Sequence, residues 1–517
     1  MIQPLSPFFS SKHQHLDDAH TAHPPLFDAS TIRQIETLAL THVLPHETSL
    51  MQRAGYATAR LAQACYPHAS NILIIAGKGN NGADAIAAAT YLKKMGKNVH
   101  LLWLGSPEQA SQDTLKAFQI AQAAQLSLHP YSQETTAHIG AQSFDLIIDG
   151  LLGIGLNASK SLSDESIHLI TVINRLKAPC IAIDAPSGLI TATGSTHTHA
   201  VRAQHTLTFL AAKPGLFTAQ GREYCGHIWL DTLGIKPYTS TPSAYLYSPT
   251  SNITPRAHNA HKGTFGDVAI IGGASGMTGA AILAARAAMK AGAGRTYLSL
   301  LDNEHRNIPA QLDINAPEIM FRPINQLSFK QSIIACGCGG GTQVKAWLPQ
   351  LLHECPRLVL DADALNAIAT DKELQQQLQT RKTRNLATII TPHPLEAARL
   401  LQTSPEEIQN DRLNAAQKLA NLFNCTCVLK GSGTITATPA QTPYINSSGN
   451  AALATAGSGD VLCGWLAGCW SATHKQQENQ PHHLAAQCVW EHGHAADRWV
   501  KTGHYGALPA STLTQWI

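Results

Sequence analysis

Residues 455–460, Thr-Ala-Gly-Ser-Gly-Asp, end a run of small residues on one carboxylate, Asp460. The segment Asn446-Ser-Ser-Gly-Asn450 lies just upstream, and the apolar stretch 461–470 begins directly after Asp460. A glycine-rich loop opening a buried helix offers free backbone N–H groups and the positive end of the helix dipole, which suits a phosphate. A carboxylate belongs in an anion site only if it does chemistry or holds a metal. Asp460 therefore reads as a general base for phosphoryl transfer, with Gly459 in the loop that meets the phosphate. An Asp N-cap on a core helix fits the same residues.

The first half of the chain holds three further loops of this type. Gly77-Lys-Gly-Asn80-Asn81-Gly82-Ala83-Asp84 follows an apolar run, Asp149-Gly-Leu-Leu-Gly153-Ile154-Gly155 follows a second, and Ile183-Asp184-Ala-Pro-Ser187-Gly188 follows a third. Glycines let backbone approach a phosphate. Asn81, Asp149 and Ser187 supply hard oxygens suited to a monovalent or small divalent cation. Asp184 is a candidate acid/base. A plain helix-entry turn is the alternative for the first loop.

The second half carries Lys262-Gly-Thr-Phe-Gly266, Gly276-Met-Thr-Gly-Ala280, Gly337-Cys-Gly339-Gly-Gly341, Asp361-Ala-Asp363, Thr391-Pro-His393-Pro-Leu-Glu396 and Lys430-Gly431-Ser432-Gly433-Thr434. Lys430 and its glycines can cradle phosphates. Taken singly, Asp361 and Asp363 read equally as helix caps, and His393 as a satisfied turn histidine.

Something must hold these loops. Asn71–Ala76, 99–104, 146–149 and 180–184 are short apolar runs separated by helical stretches such as 83–95. That alternation predicts a parallel sheet covered on both faces, with Gly77, Asp149 and Asp184 at the carboxyl ends where open α/β sheets bind ligands. The pattern restarts at Asp267–Gly272, followed by a helix over 280–290 and strand ends near 335, 361, 391 and 429. A Pro/Ser/Thr/Tyr-rich stretch between reads as a linker. The expected organisation is a loose polar tail over 1–27, a first α/β domain over 28–236, a linker over 237–254 and a second α/β domain over 255–517.

Bulk composition agrees. The chain has 517 residues, too many for one core. Hydrophobic residues make up 44% and charged residues 14%, which excludes a disordered protein. The net charge of +3 is scattered, so no nucleic-acid face is expected. No apolar run reaches membrane-spanning length, and no signal peptide is evident, so a cytoplasmic location is expected. The eleven cysteines lack framework spacing and are expected reduced. His482, His483, His492 and His494 match no standard metal spacing and are expected at the surface.

The first-half motifs, with Leu207-Thr-Phe-Leu-Ala-Ala-Lys213-Pro-Gly-Leu, resemble the NAD(P)H-hydrate epimerase family. The second-half set resembles the ribokinase-like, ADP- or ATP-dependent NAD(P)H-hydrate dehydratase family. Together they resemble the bifunctional NAD(P)H-hydrate repair enzymes over about 28–236 and 255–515. The resemblance implies a Rossmann-like domain followed by a ribokinase-like domain. It implies K+ on Asn81, Asp149 and Ser187, and hydrate contacts from Asn80, Asn81, Gly82, Ala83, Asp84, Gly153, Ile154, Gly155, Leu156, Asn157, Ala158, Ser159 and Asp184. In the second domain it implies hydrate contacts from Ala280, Gly339, Gly341, His393 and Asp460. Nucleotide contacts would come from Lys430, Gly431, Ser432, Gly433, Thr434 and Gly459, with Mg2+ on the nucleotide phosphates.

Five positions depart from the family pattern. Gly82-Ala83-Asp84-Ala85 stands for Gly-Gly-Asp-Gly, Gly337-Cys338-Gly-Gly340-Gly341 for Gly-Pro-Gly-Leu-Gly, and Leu395 for a glycine. The implied ligands are NAD(P)H hydrates with ADP or ATP, with no nucleic acid or membrane partner, and a homo-oligomer is expected. The implied chemistry is epimerisation of the hydrates and nucleotide-driven dehydration of the S form. A small-molecule kinase shares the ribokinase-like fold and the Gly-x-Gly-Asp end, but it would not need the epimerase-like half. A scaffold without activity would not need Asp149, Asp184 and Ser187.

Overall fold

The computed structural model describes residues 2–5, 23–42, 49–108, 110–156, 159, 161–196, 198–235, 240–249, 256–301, 312–472 and 481–517. Asn71–Ala76, Leu146–Gly150 and Cys180–Ile183 are almost wholly buried, as strands covered on both faces must be. They pair in parallel, and the sheet runs in space Gln3–Pro4, His227–Asp231, His205–Phe209, Cys180–Ile183, Leu146–Gly150, Asn71–Ala76, Asn98–Trp103, Leu128–Pro130. Strand order reverses between Asn71–Ala76 and Leu146–Gly150, a switch point whose carboxyl ends carry Gly77 and Asp149.

Among the described residues the chain divides into two compact units, one holding Pro25–Ala244 and the first few residues, the other holding residues 23–24 and Tyr245–Ile517. The second sheet runs Met320–Phe321, Arg295–Leu300, Asp267–Gly272, Ser332–Cys336, Arg357–Leu360, Ala387–Ile390, Thr426–Leu429, Ile435–Ala437, Tyr444–Asn446, Ala244–Tyr247. It is parallel from Met320–Phe321 through Thr426–Leu429, turns antiparallel through Ile435–Ala437, and is parallel again at Ala244–Tyr247.

Two expectations need correction. The tail over 1–27 is tied down where described: Gln3 and Pro4 pair with Leu230 and Trp229, giving an edge strand partners it would otherwise lack. Leu26 bridges Ala212 and is fully buried. The ring of His23 stacks on Tyr247 at 4.7 Å. Inside the expected linker, Ala244–Tyr247 is a strand, and its Ala244, Leu246 and Tyr247 are buried.

Histidine placement also differs. His482 and His492 are buried, at 5% and 8% exposure. His482 contacts Thr438 Oγ1 and the Thr442 carbonyl, and His492 contacts the Ser458 carbonyl. All eleven cysteines are free. No helix among the described residues is long and apolar enough to cross a membrane.

Candidate active sites

The helix expected over 83–95 starts earlier, at Asn80, with Gly79 in extended conformation as its N-cap. Asn80 and Asn81 therefore occupy the first turn, where backbone N–H groups have no helical acceptor. Gly82 faces inward rather than into the site. A Cβ there would lie 1.9 Å from the Gly77 carbonyl oxygen.

A cavity of about 1340 Å³ opens at these strand ends, lined by Asn80, Asn81, Ala83, Asp84, Gly153, Ile154, Gly155, Leu156 and Asp184. Asn157 and Ala158 lie outside the described residues. Ser159 is exposed and Gly82 packs behind the cavity wall.

Asp184 sits just past its strand at φ +65, a left-handed conformation uncommon outside glycine. Its N–H donates to the Leu207 carbonyl at 2.7 Å. Its carboxylate is held by the ammonium of Lys213, whose side chain is 1% exposed and also donates to Thr208 Oγ1 and the Phe209 carbonyl. Lys213 is quoted in the sequence motif but was given no role there. A buried lysine spaced to return to a strand-end Asp was the available signal. Burial, then the charges of Asp184 and Glu36, push the Asp84 carboxyl well above its usual range. Asp84 and Asp184 thus line one cavity as two carboxyls in different environments, an arrangement that suits an acid and a base.

Behind the cavity, the expected oxygen set is assembled. Ser187 Oγ donates to Asp149 Oδ1 at 2.6 Å, and Ser187 N–H donates to Asp149 Oδ2 at 2.8 Å. Leu152 joins the parts: its N–H donates to Ser187 Oγ at 2.8 Å, and its carbonyl accepts from Asn81 Nδ2 at 2.9 Å. Asp149 is fully buried, and burial raises its carboxyl to about 6. Among the described residues no cationic side chain faces it. Hard oxygens around a buried carboxylate without a counter-charge fit a monovalent cation.

In the second unit, the helix carrying Asp460 starts at Ser458. Asp460 lies inside its first turn, so the N-cap alternative does not hold. Lys430, at the end of Thr426–Leu429, places Nζ 2.6 Å from Asp361 Oδ1. A Cβ on Gly459 would meet Lys430 Nζ at 3.4 Å and Asp361 Oδ2 at 3.9 Å. These three and Asp460 therefore share one site. Burial first, then the Asp361 charge, raise Asp460 to about 6.

Gly431 and Gly433 take φ of +137 and +59, and Thr434 Oγ1 closes the loop on the Gly431 carbonyl at 2.9 Å. Gly339 and Gly341, both at φ +56, form the glycine turn opposite. A Cβ on Gly339 would touch Ala280 Cβ at 3.0 Å, and Gly341 N–H donates to Asp363 at 2.9 Å.

His393 is a helix cap, as its bland reading allows. Its Nδ1 accepts from the Leu395 and Glu396 N–H groups, and its Nε2 lies 3.2 Å from Glu396 Oε1. Burial lowers the imidazole and raises Glu396 to about 7. Asp361, as partner of Lys430, and Glu396 are the site residues to which sequence reasoning gave no such role.

Comparisons with known proteins bear on the whole chain. A family profile described as NAD(P)H-hydrate dehydratase matches residues 268–517, and one described as YjeF-related protein N-terminus matches residues 47–215. The bifunctional NAD(P)H-hydrate repair enzyme Nnr of Escherichia coli is 34% identical over 463 residues, covering 87% of this chain and 84% of its own length. The chain belongs to the bifunctional NAD(P)H-hydrate repair enzyme family. A member from Coxiella burnetii is 32% identical over 502 residues, 94% of this chain and 97% of that protein. A crystal structure of the ADP/ATP-dependent NAD(P)H-hydrate dehydratase of Bacillus subtilis, 29% identical, covers 51% of this chain and 91% of its own, with a TM-score of 0.43.

The departures from the family pattern have local explanations. Ala83 and Ala85 are fully buried helix residues, and a Cβ on Gly150 would lie 2.4 Å from Ala85 Cβ, so Gly150 makes the room. Leu395 is an ordinary residue of Pro394–Leu401, 43% exposed and not in a left-handed conformation. Cys338 points inward at 1% exposure.

Proposed function

We propose that the first unit interconverts the R and S hydrates of NADH and NADPH, and that the second restores the S hydrate to the dinucleotide using ADP or ATP. The observation that carries this reading is Asp460: a carboxyl raised to about 6, in the first turn of a helix, beside a Lys430–Asp361 pair. A base poised near working pH suits removal of a hydroxyl proton.

Asp460 accepts the proton of the ring hydroxyl while that oxygen attacks the terminal phosphoryl of the nucleotide. Lys430 and the N–H groups of Gly431, Ser432, Gly433, Thr434 and Gly459 balance the charge of the transferring group. Phosphate then leaves the ring carbon, and loss of a proton from the adjacent carbon re-forms the ring double bond. His393, Ala280, Gly339 and Gly341 hold the hydrated ring. Magnesium arriving with the nucleotide would neutralise its phosphates.

In the first unit, Asp184 moves the proton, Lys213 holds its carboxylate in place, and Asp84 donates to the hydrate. Asn81, Asp149 and Ser187 would hold K+, which supplies positive charge behind the Gly153–Ile154–Gly155–Leu156 wall. Assembly as a homo-oligomer in the cytoplasm completes the reading, with light scattering and cell fractionation as its checks.

The deciding experiment supplies mixed hydrate epimers with and without ADP and follows recovery of dihydronicotinamide absorbance. Both epimers recover only with nucleotide. Asp460→Asn abolishes recovery while nucleotide still binds by calorimetry, and substantial turnover in that variant overturns the base assignment.

A further inference from the structure

Two thiols lie in the second site, and the chemistry above uses neither. Cys338 follows the strand Ser332–Cys336, Asp361 follows Arg357–Leu360, and Cys463 lies on the helix that carries Asp460. Exposures are 1%, 1% and 0%. One sulfur from each cysteine and a carboxylate oxygen of Asp361 lie within 4.8 Å of one another.

The three positions are rigidly placed. Gly337 turns at φ +121, where any Cβ would strike the Asp361 carbonyl oxygen at 1.9 Å, so the Cys338 loop is fixed against Asp361. The Cys338 carbonyl accepts from Gly273 N–H at 3.0 Å. Lys430 pins one oxygen of Asp361. Asp460 stands three residues before Cys463 on the same helix. It is half-buried, which leaves an incoming ion a route from solvent.

We propose that Cys338, Cys463 and Asp361 form a site for zinc or a similarly soft divalent ion, whose occupation beside Asp460 silences dehydration. Tetrahedral zinc with bonds of about 2.3 Å to sulfur needs ligands about 3.8 Å apart, so the side chains close in by about 1 Å at most. Each thiol releases its proton to solvent, each thiolate donates an electron pair, and no redox step occurs. Two sulfurs select against magnesium, which demands oxygen ligands and octahedral geometry. The inhibition rests on Asp460 acting as the base, whereas the metal binding does not.

A second thiol pair, Cys469 and Cys488 with Glu491, gathers within the same span, so the test uses full-length Cys469→Ala protein, reduced and stripped of metal. Cobalt titrated into it should give a thiolate-to-cobalt charge-transfer absorption that zinc abolishes at one equivalent, and that Cys338→Ala and Cys463→Ala each remove. Zinc-buffered solutions should lower dehydration about 100-fold, the scale of losing a general base. They should leave epimerisation unchanged, and each cysteine variant should keep its own zinc-free rate. Cobalt binding without the sulfur band, or equal zinc inhibition in the variants, overturns the proposal. A protein that shows the band but no zinc-free dehydration would refute the Asp460 assignment and leave the metal site standing.

Discussion

Two buried charge pairs divide the labour at the residue scale. Lys430–Asp361 sets the field around Asp460: Asp361 adds a negative charge that, after burial, is the next cause of the raised carboxyl. The acid limb of dehydration should therefore fall near pH 6, with activity rising as Asp460 loses its proton. Asp361→Asn should move that limb to lower pH, because its charge no longer opposes ionisation of Asp460. A limb that stays in place across a pH series of kcat/KM refutes this coupling. Lys213–Asp184 has a different task, since it holds a left-handed aspartate at the cavity edge. Lys213→Met leaves a buried carboxylate unpaired, which costs about 3–5 kcal/mol in comparable pairs. Denaturant unfolding should register that loss, and epimerisation should fall while dehydration of purified S hydrate persists.

Close backbone approach positions the second site at the element scale. The helix Ser458–Ala472 lies against Thr278–Lys290 through Gly464 and Gly468, where a Cβ would meet the Ala284 and Ala288 carbonyl oxygens at 1.9 and 2.4 Å. Gly464→Ala should force the helices apart, cost about 1–3 kcal/mol as overpacking does, and displace Asp460 from Lys430. Dehydration should drop in steady-state assays and epimerisation should not. Much of this scaffold was legible in the sequence. The strand Asp267–Gly272 has the bounds its pattern implies, because the apolar run Val268–Ile271 between turn signals has few other uses. The helix at Asn80 reads late, since Asn-Asn-Gly is also turn chemistry and only the packing of Gly82 on Gly77 decides it. Leu128–Pro130, Ile435–Ala437 and Tyr444–Asn446 are three residues each, too short for periodicity to show. Lys213 and Asp361 were visible as letters, but their partners lie 29 and 69 residues away, and pairing at that range is a property of the fold.

Release of the hydrate between the two catalytic units is the expected course at the molecular scale, and complementation tests it. Asp184→Ala protein should clear one epimer of a mixture and stall, and adding Asp460→Asn protein to it should restore full clearance. A pair that fails to complement in a chromatographic assay of both epimers would argue for direct transfer. Stability carries its own signature. Burial lowers His23, His482 and His492 from 6.5 to about 4, so the unfolded chain binds more protons than the fold between those values. Stability is lost as pH falls through that window. The unfolding midpoint should drop from pH 7 to pH 5, and His482→Gln should flatten the slope. One backbone residue has a wider consequence. Leu152 gives its N–H to the oxygen cluster and its carbonyl to Asn81, so the proposed cation seat and dinucleotide wall share a single residue. Whatever that seat gains when the dinucleotide binds, the dinucleotide gains when the seat fills. With K+ in the proposed seat, the salt composition of the solution would act as a heterotropic effector, read out as affinity for damaged cofactor.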